Sequence, residues 1–482
     1  MKANNRVKLF LAVKILGVLL LSGCGSDSTP LPPLPPLPPE SWYAEVVGVW
    51  KQQGYGNLME IGESDYSVYQ VNQVACIKQG TWSLDSLDGD LKEKQKNTSL
   101  DHITLEYLNN DTLQRFDKST QLPALCENGG TQFSDDPELN FDALWHTFSE
   151  QYAFFNERDV EWSESFGIYR EQVNGATTQQ ELFEIISEML SSLKDGHTSL
   201  TSDNNTFEAG SLSMVAQRLY DEFANQSEVA SIEEYISQQI TIIDGIIVGY
   251  LNGEVAQGAN DRLAWGKLSP SVGYLMVREM TNYTLDANEN TGDQENLQAL
   301  QPVIRDVMAQ LADTQALVID LRLNGGGHAK SALEIASYFI LQATPTFTVK
   351  ARFDDGYTER QTVNLEPSGI STYAGQVVIL TSGVTASASE VFILTMLERG
   401  QVTLVGETTE GIFSNELQKQ LPNGWKFTLS NEIYQTIQGE SFEADGILPD
   451  IQQIVFSLAD RTSGVDGGLD KAIEILESQG IY

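Results

Sequence analysis

The sequence predicts a multidomain protein in which a C-terminal α/β domain follows a helical region and a small N-terminal β domain. Three observations lead to this. From residue 274 onward, short apolar runs typical of buried strands alternate with helical stretches. Before residue 134 the chain reads as short strands separated by Gly, Asn and Asp. Between these parts, apolar residues recur at helical spacing.

Residues 1–23 have the composition of an export signal. Basic residues precede an apolar stretch from 9 to 21, which is interrupted only by Lys14 and is short for a membrane span. Its end, Leu-Ser-Gly-Cys at residues 21–24, resembles the lipobox of bacterial lipoproteins. That resemblance implies a lipidated Cys24, membrane attachment through the lipid and, because Gly25 rather than Asp follows, an outer-membrane location. An ordinary cleaved secretory signal is the alternative.

Residues 24–41 are predicted to be a tether. Proline fills about two positions in three from 30 to 39, which removes backbone donors and favours an extended polyproline II rod. A ligand for a polyproline-binding domain is the other interpretation, but a spacer is favoured directly behind a membrane anchor.

Residues 42–134 are predicted to be the β domain, with strands at 48–50, 66–69, 80–84 and 102–107. Besides Cys24, the chain has only Cys76 and Cys126, an even pair in an exported protein. A disulfide between them would close a loop of about 50 residues and stabilise the domain by about 4 kcal/mol on the chain-entropy model. Two buried free thiols are the alternative.

Residues 135–200 are predicted to be helical, and Thr178 to Glu181 forms a capping box for one of the helices. Residues 201–270 read as an insert or rim with acidic helical character near 220–240. Residues 271–482 form the α/β domain. Its predicted strands are 274–277, 316–319, 376–380 and 402–405, with helices near 330–341 and 387–399.

Three motifs carry chemistry: Asp195-Gly-His197, Asn324-Gly-Gly-Gly327 and Ser387-Ala-Ser-Glu390. They offer a base, a run of backbone amides and a hydroxyl at a helix start, the parts that acyl transfer requires. The alternatives are structural: a plain turn or phosphate loop for the glycines, a helix cap for Ser387, and a structural histidine. Right-handed crossovers place the loops at 324 and 387 along one edge of the sheet.

The α/β domain resembles the catalytic domain of the C-terminal processing peptidases, also called tail-specific or S41 serine peptidases. The resemblance rests on the motifs at 318–327 and 386–390, together with Val-Gly-Glu-Thr-Thr at 405–409 and Gly-Ile-Leu-Pro-Asp at 446–450. It implies the crotonase/ClpP-like fold of that family and a serine peptidase acting on proteins or peptides. It also implies that Ser387 is the nucleophile and that Ala388 and the glycines Gly325 and Gly326 supply the oxyanion hole.

Two departures from the family bear on mechanism. Ile412 stands where the Ser/Lys members carry their lysine base, so the chain is closer to the tricorn-like branch, in which a histidine is the base. This implies His197 as base and Glu443 as the residue that orients it, with Glu440 and Asp445 as near alternatives. That branch has a serine before the histidine, where this chain has Gly196. Residues 201–270 also lack the features of the PDZ module found in many members.

Two other functions use related folds. Interphotoreceptor retinoid-binding proteins carry apolar ligands on the same domain, and crotonase-like enzymes act on acyl thioesters. Composition excludes a nucleic-acid partner, because 67 acidic residues against 29 basic ones give a net charge of −38 and the mature part has no basic cluster. No metal and no cofactor is predicted. The sequence does not indicate the oligomeric state.

Overall fold

The computed structural model describes residues 45–96, 101–107, 112–285, 287, 291–370 and 372–482. The predicted export signal, Cys24 and the proline tether lie outside the described residues. Within the described ranges, no helix combines the length and apolar character needed to cross a bilayer.

Antiparallel pairing organises the N-terminal region into a sheet with the order β4-β3-β2-β1-β7-β6-β5. Its strands are β1 Gly48–Gln52, β2 Asn57–Ile61, β3 Asp65–Val71, β4 Cys76–Ser83, β5 Leu91–Lys96, β6 His102–Tyr107 and β7 Gln114–Ser119, with helix α1 at Leu84–Asp90 after β4. Cys76 and Cys126 form the predicted disulfide, with their Cα atoms 5.1 Å apart. It fastens a short 3-10 helix, Ala124–Gly129, to β4.

The helical region contains α2 Pro137–Gln151, α3 Trp162–Arg170 and α4 Gln179–Ser191. The capping box at Thr178 is present, because Glu181 accepts from the Thr178 N–H at 2.8 Å and its own N–H donates to the Thr178 hydroxyl at 3.3 Å. The buried faces of these helices share a core with Trp425, Phe427 and Leu429, which come from the C-terminal part of the chain. The helical region is therefore packed against the α/β domain.

Residues 201–270 contribute strands to two different sheets, with two helices between them. Helices α5 Met214–Ala224 and α6 Ile232–Tyr250 confirm the helical character near 220–240. Before them, β8 Ser199–Thr201 and β9 Thr206–Glu208 join β19 Glu416–Gln420 and β20 Lys426–Ser430 in a sheet with the order β19-β20-β8-β9. After them come β10 Ala256–Gly258 and β11 Leu263–Ser269: β10 pairs with β11, and β11 pairs with the first strand of the α/β domain. The α/β sheet thus extends to the N-terminal side of residue 271.

The central sheet has the order β10-β11-β12-β13-β17-β18-β22 and is parallel from β12 onward. All four strands predicted for this domain occur in it. Their ranges are β12 Val272–Val277, β13 Ala316–Asp320, β17 Gln376–Thr381 and β18 Val402–Gly406, with β22 Ile451–Gln452 at the edge. One face packs on α7 Asp293–Gln310, α8 Ala329–Ser337 and α9 Ala388–Leu397, and the other on α6 and α11 Gly467–Ser478. Burial on both faces explains the nearly continuous apolar runs.

A smaller sheet contains β14 Thr344–Phe353, β15 Gly356–Tyr357, β16 Gln361–Leu365 and β21 Glu432–Gln435, and helix α10 Leu458–Ser463 precedes α11. The N-terminal region contacts β19 and the residue between β20 and β21: Gln70 Nε2 donates to the Gln420 carbonyl at 2.8 Å, and Asn431 Nδ2 donates to the Gly54 carbonyl at 2.9 Å. A cavity of about 330 Å³ lies between the N-terminal sheet and residues 415–417 and 431–432. None of the predicted site residues lines this cavity.

Candidate active site

Ser387 lies between β17 and α9, at the carboxyl edge of the parallel sheet. Its backbone has φ 55° and ψ −123°, a left-handed conformation that is strained for a residue with a Cβ. Thr385 holds this turn in place, since its hydroxyl donates to the Leu321 carbonyl at 2.8 Å and accepts from the Ser382 N–H at 3.0 Å. The turn therefore presents a half-buried hydroxyl at the end of the sheet.

The start of helix α9 is held by atoms other than the Ser387 hydroxyl. The Ser387 and Glu390 side chains are arranged as a capping box, but the Ser387 hydroxyl accepts no hydrogen bond of standard geometry from the helix. The N–H of Glu390 instead donates to the Ser387 carbonyl at 2.8 Å, while the Glu390 carboxylate accepts from the Ser387 N–H at 3.0 Å. Ala388 is the first residue of α9, so its N–H has no acceptor within the helix. The hydroxyl is thus left available beside an unused amide.

The buried carboxylate of Glu390 joins the nucleophile turn to the loop at 409–412. Besides Ser387, it accepts from the Thr409 hydroxyl at 2.5 Å and from the N–H groups of Gly411 and Ile412 at 2.7 and 2.9 Å. Burial raises its pKa to about 7, against these donors, which favour the ionised form. Glu390 was expected only as a capping residue, and its second role depends on residues some twenty positions away.

The glycine loop packs directly against Ser387. Gly326 has φ 108°, and a Cβ added to it would lie 2.7 Å from Ser387 Cβ and 3.2 Å from Ala388 N. Only glycine allows this approach. The Gly326 N–H donates to Asn324 Oδ1 at 2.9 Å, so this amide is already engaged. Gly325 N–H has no backbone acceptor among the described residues. Gly325 and Ala388 therefore remain as the available donors of the predicted set.

A buried ionic cluster holds the start of this loop. Arg322, fully buried, donates to Asp320 at 2.9 and 2.6 Å and to Asp466 at 2.6 and 2.8 Å. Tyr274 donates to Asp320 at 2.8 Å. Because Asp466 caps α11 and Asp320 ends β13, the cluster ties the C-terminal helix to the strand that leads into the glycine loop.

His197 follows a turn organised by Asp195. The Asp195 carboxylate accepts from the His197 N–H at 2.9 Å and from the Tyr152 hydroxyl at 2.9 Å. His197 as a residue is 8% exposed, and the Nδ1 of its ring has no hydrogen-bond partner within the described chain. The structure therefore fixes the backbone of the histidine and leaves this ring nitrogen unengaged.

Glu443 reaches the histidine turn through Arg158. Its carboxylate accepts from the Phe413 N–H at 2.8 Å and from Arg158 Nη2 at 3.1 Å, and the same Nη2 lies 3.8 Å from Asp195 Oδ1. Burial and the nearby Asp195 raise the pKa of Glu443 to about 8, although Arg158 opposes this. Arg158 also donates to the Lys194 carbonyl at 2.7 Å. Arg158 thus links Glu443 to the segment that carries His197.

Of the three acids considered for orienting the base, only Glu443 is buried, whereas Glu440 and Asp445 are exposed. Sequence reasoning missed Arg158 and Tyr152 because nothing in their neighbourhood indicates a role. Their partners at 195 and 443 are distant in the chain.

The two departures from the family pattern meet in space. A Cβ on Gly196 would lie 3.1 Å from the Cδ1 atom of Ile412. The side chain of Ile412, at the lysine position, therefore fills the space beside residue 196. A side chain at position 196 would be crowded by it. This contact also brings the histidine turn next to the loop that Glu390 ties to Ser387.

We expect the stability of the protein to fall as pH rises from about 5 to 7. The pKa of Glu390 lies at about 7 in the folded state, above its ordinary 4.5, so the folded state holds more protons across that interval. Glu443 acts in the same direction, up to about 8. Urea unfolding at pH 5.5 and 7.5 should show a smaller loss for Glu390→Gln than for the parent. Equal losses would contradict the assignment to Glu390.

Removing Arg158 should destabilise the fold strongly. Arg158→Met leaves Asp195, and above about pH 8 also Glu443, buried without a counter-charge, and breaking such buried pairs costs about 3–5 kcal/mol. Arg170→Met is the matched control, since its pairs with Glu138 and Asp142 are partly exposed and contribute about 1 kcal/mol or less. Chemical denaturation of both variants measures the difference. If Arg158→Met loses no more unfolding free energy than the control, the ion pairs of Arg158 with Glu443 and Asp195 do not stabilise the fold.

Comparison with known proteins identifies two segments of the chain. Residues 271–453 match the model of peptidase family S41, and residues 133–191 match the tricorn protease C1 domain. Similar curated proteins include a carboxyl-terminal-processing protease of Synechocystis, 30% identical over 33% of this chain and 36% of the relative. Another, from Picosynechococcus, is 29% identical over 38% of this chain and 39% of the relative. The chain thus spans less than half the length of these relatives.

Among solved structures, a candidate peptidase from Parabacteroides merdae is 25% identical, with a TM-score of 0.56. The match covers 71% of this chain and 97% of that protein. These findings confirm the predicted family and fold class. The α/β domain at residues 271–453 is therefore an S41-type peptidase domain, and residues 133–191 are a tricorn C1-type segment.

Proposed function

We propose that the chain is a serine peptidase that hydrolyses peptide bonds through an acyl-enzyme on Ser387. The observation that carries the proposal is the Ser387 turn itself. Its hydroxyl makes no capping hydrogen bond, its backbone is strained, and it packs against Gly326 next to the Ala388 amide. Strained nucleophile positions and converging backbone donors are what acyl transfer requires.

In this proposal His197 takes the proton of the Ser387 hydroxyl as its oxygen bonds to the substrate carbonyl carbon. The N–H groups of Gly325 and Ala388 stabilise the oxyanion that forms. His197 then returns the proton to the leaving amine, and water hydrolyses the ester by the reverse sequence. The chain of contacts from Ser387 through Glu390 and Ile412 to Gly196 supports the approach of His197 to the serine.

Glu443 has a positioning role in the same scheme. It does not hydrogen-bond His197 in the described structure but pairs with Arg158, which lies beside Asp195. Asp195 in turn holds the N–H of His197. Glu443 therefore acts through Arg158 and Asp195.

We further propose that the substrates are exported proteins or peptides and that the protein is an outer-membrane lipoprotein anchored at Cys24. Support comes from the signal-like N-terminus and from the Cys76–Cys126 disulfide, which is typical of oxidising compartments.

A fluorophosphonate probe tests the catalytic proposal, because it reacts preferentially with activated serine hydroxyls. We expect a covalent adduct at Ser387, mapped by mass spectrometry, and none in Ser387→Ala. Absence of labelling in the folded parent would refute the peptidase. Binding of apolar ligands or turnover of acyl thioesters by that unlabelled protein would then favour a carrier or a crotonase-like enzyme.

A further inference from the structure

Strand β9 is an exposed edge next to the candidate active site. In the four-stranded sheet it pairs with β8 and is last in the order β19-β20-β8-β9. Thr206 and Glu208 are exposed, and β9 is only three residues long. An edge of this kind leaves one row of backbone donors and acceptors open for another strand.

The pairing register shows which groups face outward. The N–H of Ala209 donates to the Thr198 carbonyl at 2.9 Å, and the N–H of Ser202 donates to the Asn205 carbonyl at 2.9 Å. In an antiparallel pair, hydrogen-bonded positions alternate with positions whose backbone groups point away. Since 205 and 209 are bonded to the partner strand, the N–H and C=O groups of Thr206 and Glu208 point away from β8.

The chain leaving β9 runs along the site. A Cβ on Gly210 would lie 3.1 Å from the Cα of Gly196, directly before His197. Three residues later, Ser213 Cβ lies 3.3 Å from the Cβ position of Gly383, in the turn that precedes Ser387. The segment therefore connects the histidine turn with the nucleophile turn, and Leu212 and Met214 on it are more than half exposed.

We propose that β9 and the residues after it are the docking edge for the substrate, which binds as an added strand in extended conformation. Backbone pairing with Thr206 and Glu208 aligns the peptide without regard to its sequence. Leu212 and Met214 then offer an apolar contact, so peptides with an apolar side chain near the scissile bond are favoured. This inference rests on the proposed peptidase function.

Glu208→Pro tests the docking edge, since it removes one outward donor while proline is tolerated on a strand edge. Glu208→Ala is the matched control, because it loses the side chain but keeps the N–H. The probe is unfolded, fluorescently labelled casein. Two quantities are measured: KM for its hydrolysis, and its ability to slow fluorophosphonate labelling of Ser387.

We expect Glu208→Pro to raise KM and weaken the protection about fivefold, with kcat and labelling without casein unchanged. Glu208→Ala should behave as the parent. If Ser387 is labelled but casein protects it equally in both variants, or in neither the variants nor the parent, the docking edge is wrong while the nucleophile stands. If Ser387 is unlabelled in the parent, the peptidase proposal itself fails and this inference falls with it.

Discussion

Ser387→Ala is expected to abolish hydrolysis and probe labelling while the protein remains folded. The lost hydroxyl is the proposed nucleophile, and removing such a group lowers kcat by about 10⁴-fold or more. Stability should change little, because the side chain makes no capping hydrogen bond. Casein hydrolysis and thermal unfolding measure the two effects.

The matched control is Thr395→Val on the same helix. Its hydroxyl is buried and has no hydrogen-bond partner in the described part of the chain, so the variant removes a hydroxyl without breaking a bond. Ser389→Ala is unsuitable, although helical geometry places Ser389 on another face. Its hydroxyl donates to the Asn324 carbonyl at 2.8 Å and accepts from the Ala386 N–H at 3.1 Å, so its loss would disturb the site.

A second variant at the same position separates strain from chemistry. Ser387→Gly removes the Cβ from a backbone at φ 55°, so the inactive variant should be more stable than Ser387→Ala by about 1 kcal/mol. Equal activity in Ser387→Ala and the parent would show that the serine is structural.

His197→Ala should lower kcat by about a thousandfold, because a serine hydroxyl is a weak nucleophile without a base to accept its proton. The backbone of the turn should survive, since Asp195 binds the N–H of residue 197 and not its ring. His102→Ala is the control: this histidine is exposed on the N-terminal sheet, where it pairs with Asp117 at 2.6 Å.

Full activity in His197→Ala would end the assignment of the base. Lysines would then be the remaining candidates for the base, but the Lys419 side chain is engaged in contacts with the N-terminal region. Burial lowers its pKa to about 7, and its Nζ donates to the Tyr55 carbonyl at 2.5 Å and to Asn57 Oδ1 at 3.0 Å. It therefore ties the N-terminal sheet to β19. Lys426 begins β20 and is exposed.

The sequence by itself determined the local elements and the chemical candidates. The strands predicted at 274–277, 316–319 and 376–380 lie within observed strands, because strands buried on both faces leave a continuous apolar signal. The capping box at Thr178 and the disulfide pair followed from residue types at short spacing or by elimination. Ser387 was identified from its motif. The motif did not show that the Ser387 side chain makes no capping hydrogen bond, because cap and nucleophile share one sequence pattern.

The tertiary structure alone decided how distant polar groups meet. Arg158 and Glu443 are 285 positions apart, and β8 pairs with β20 across more than 200 residues. The Gly326 amide is bound by Asn324, which leaves Gly325 as the available glycine donor. Hydrophobic periodicity reports which face of a local element is buried. A buried ion pair or an edge strand has no such period and depends on which remote segments the fold brings together.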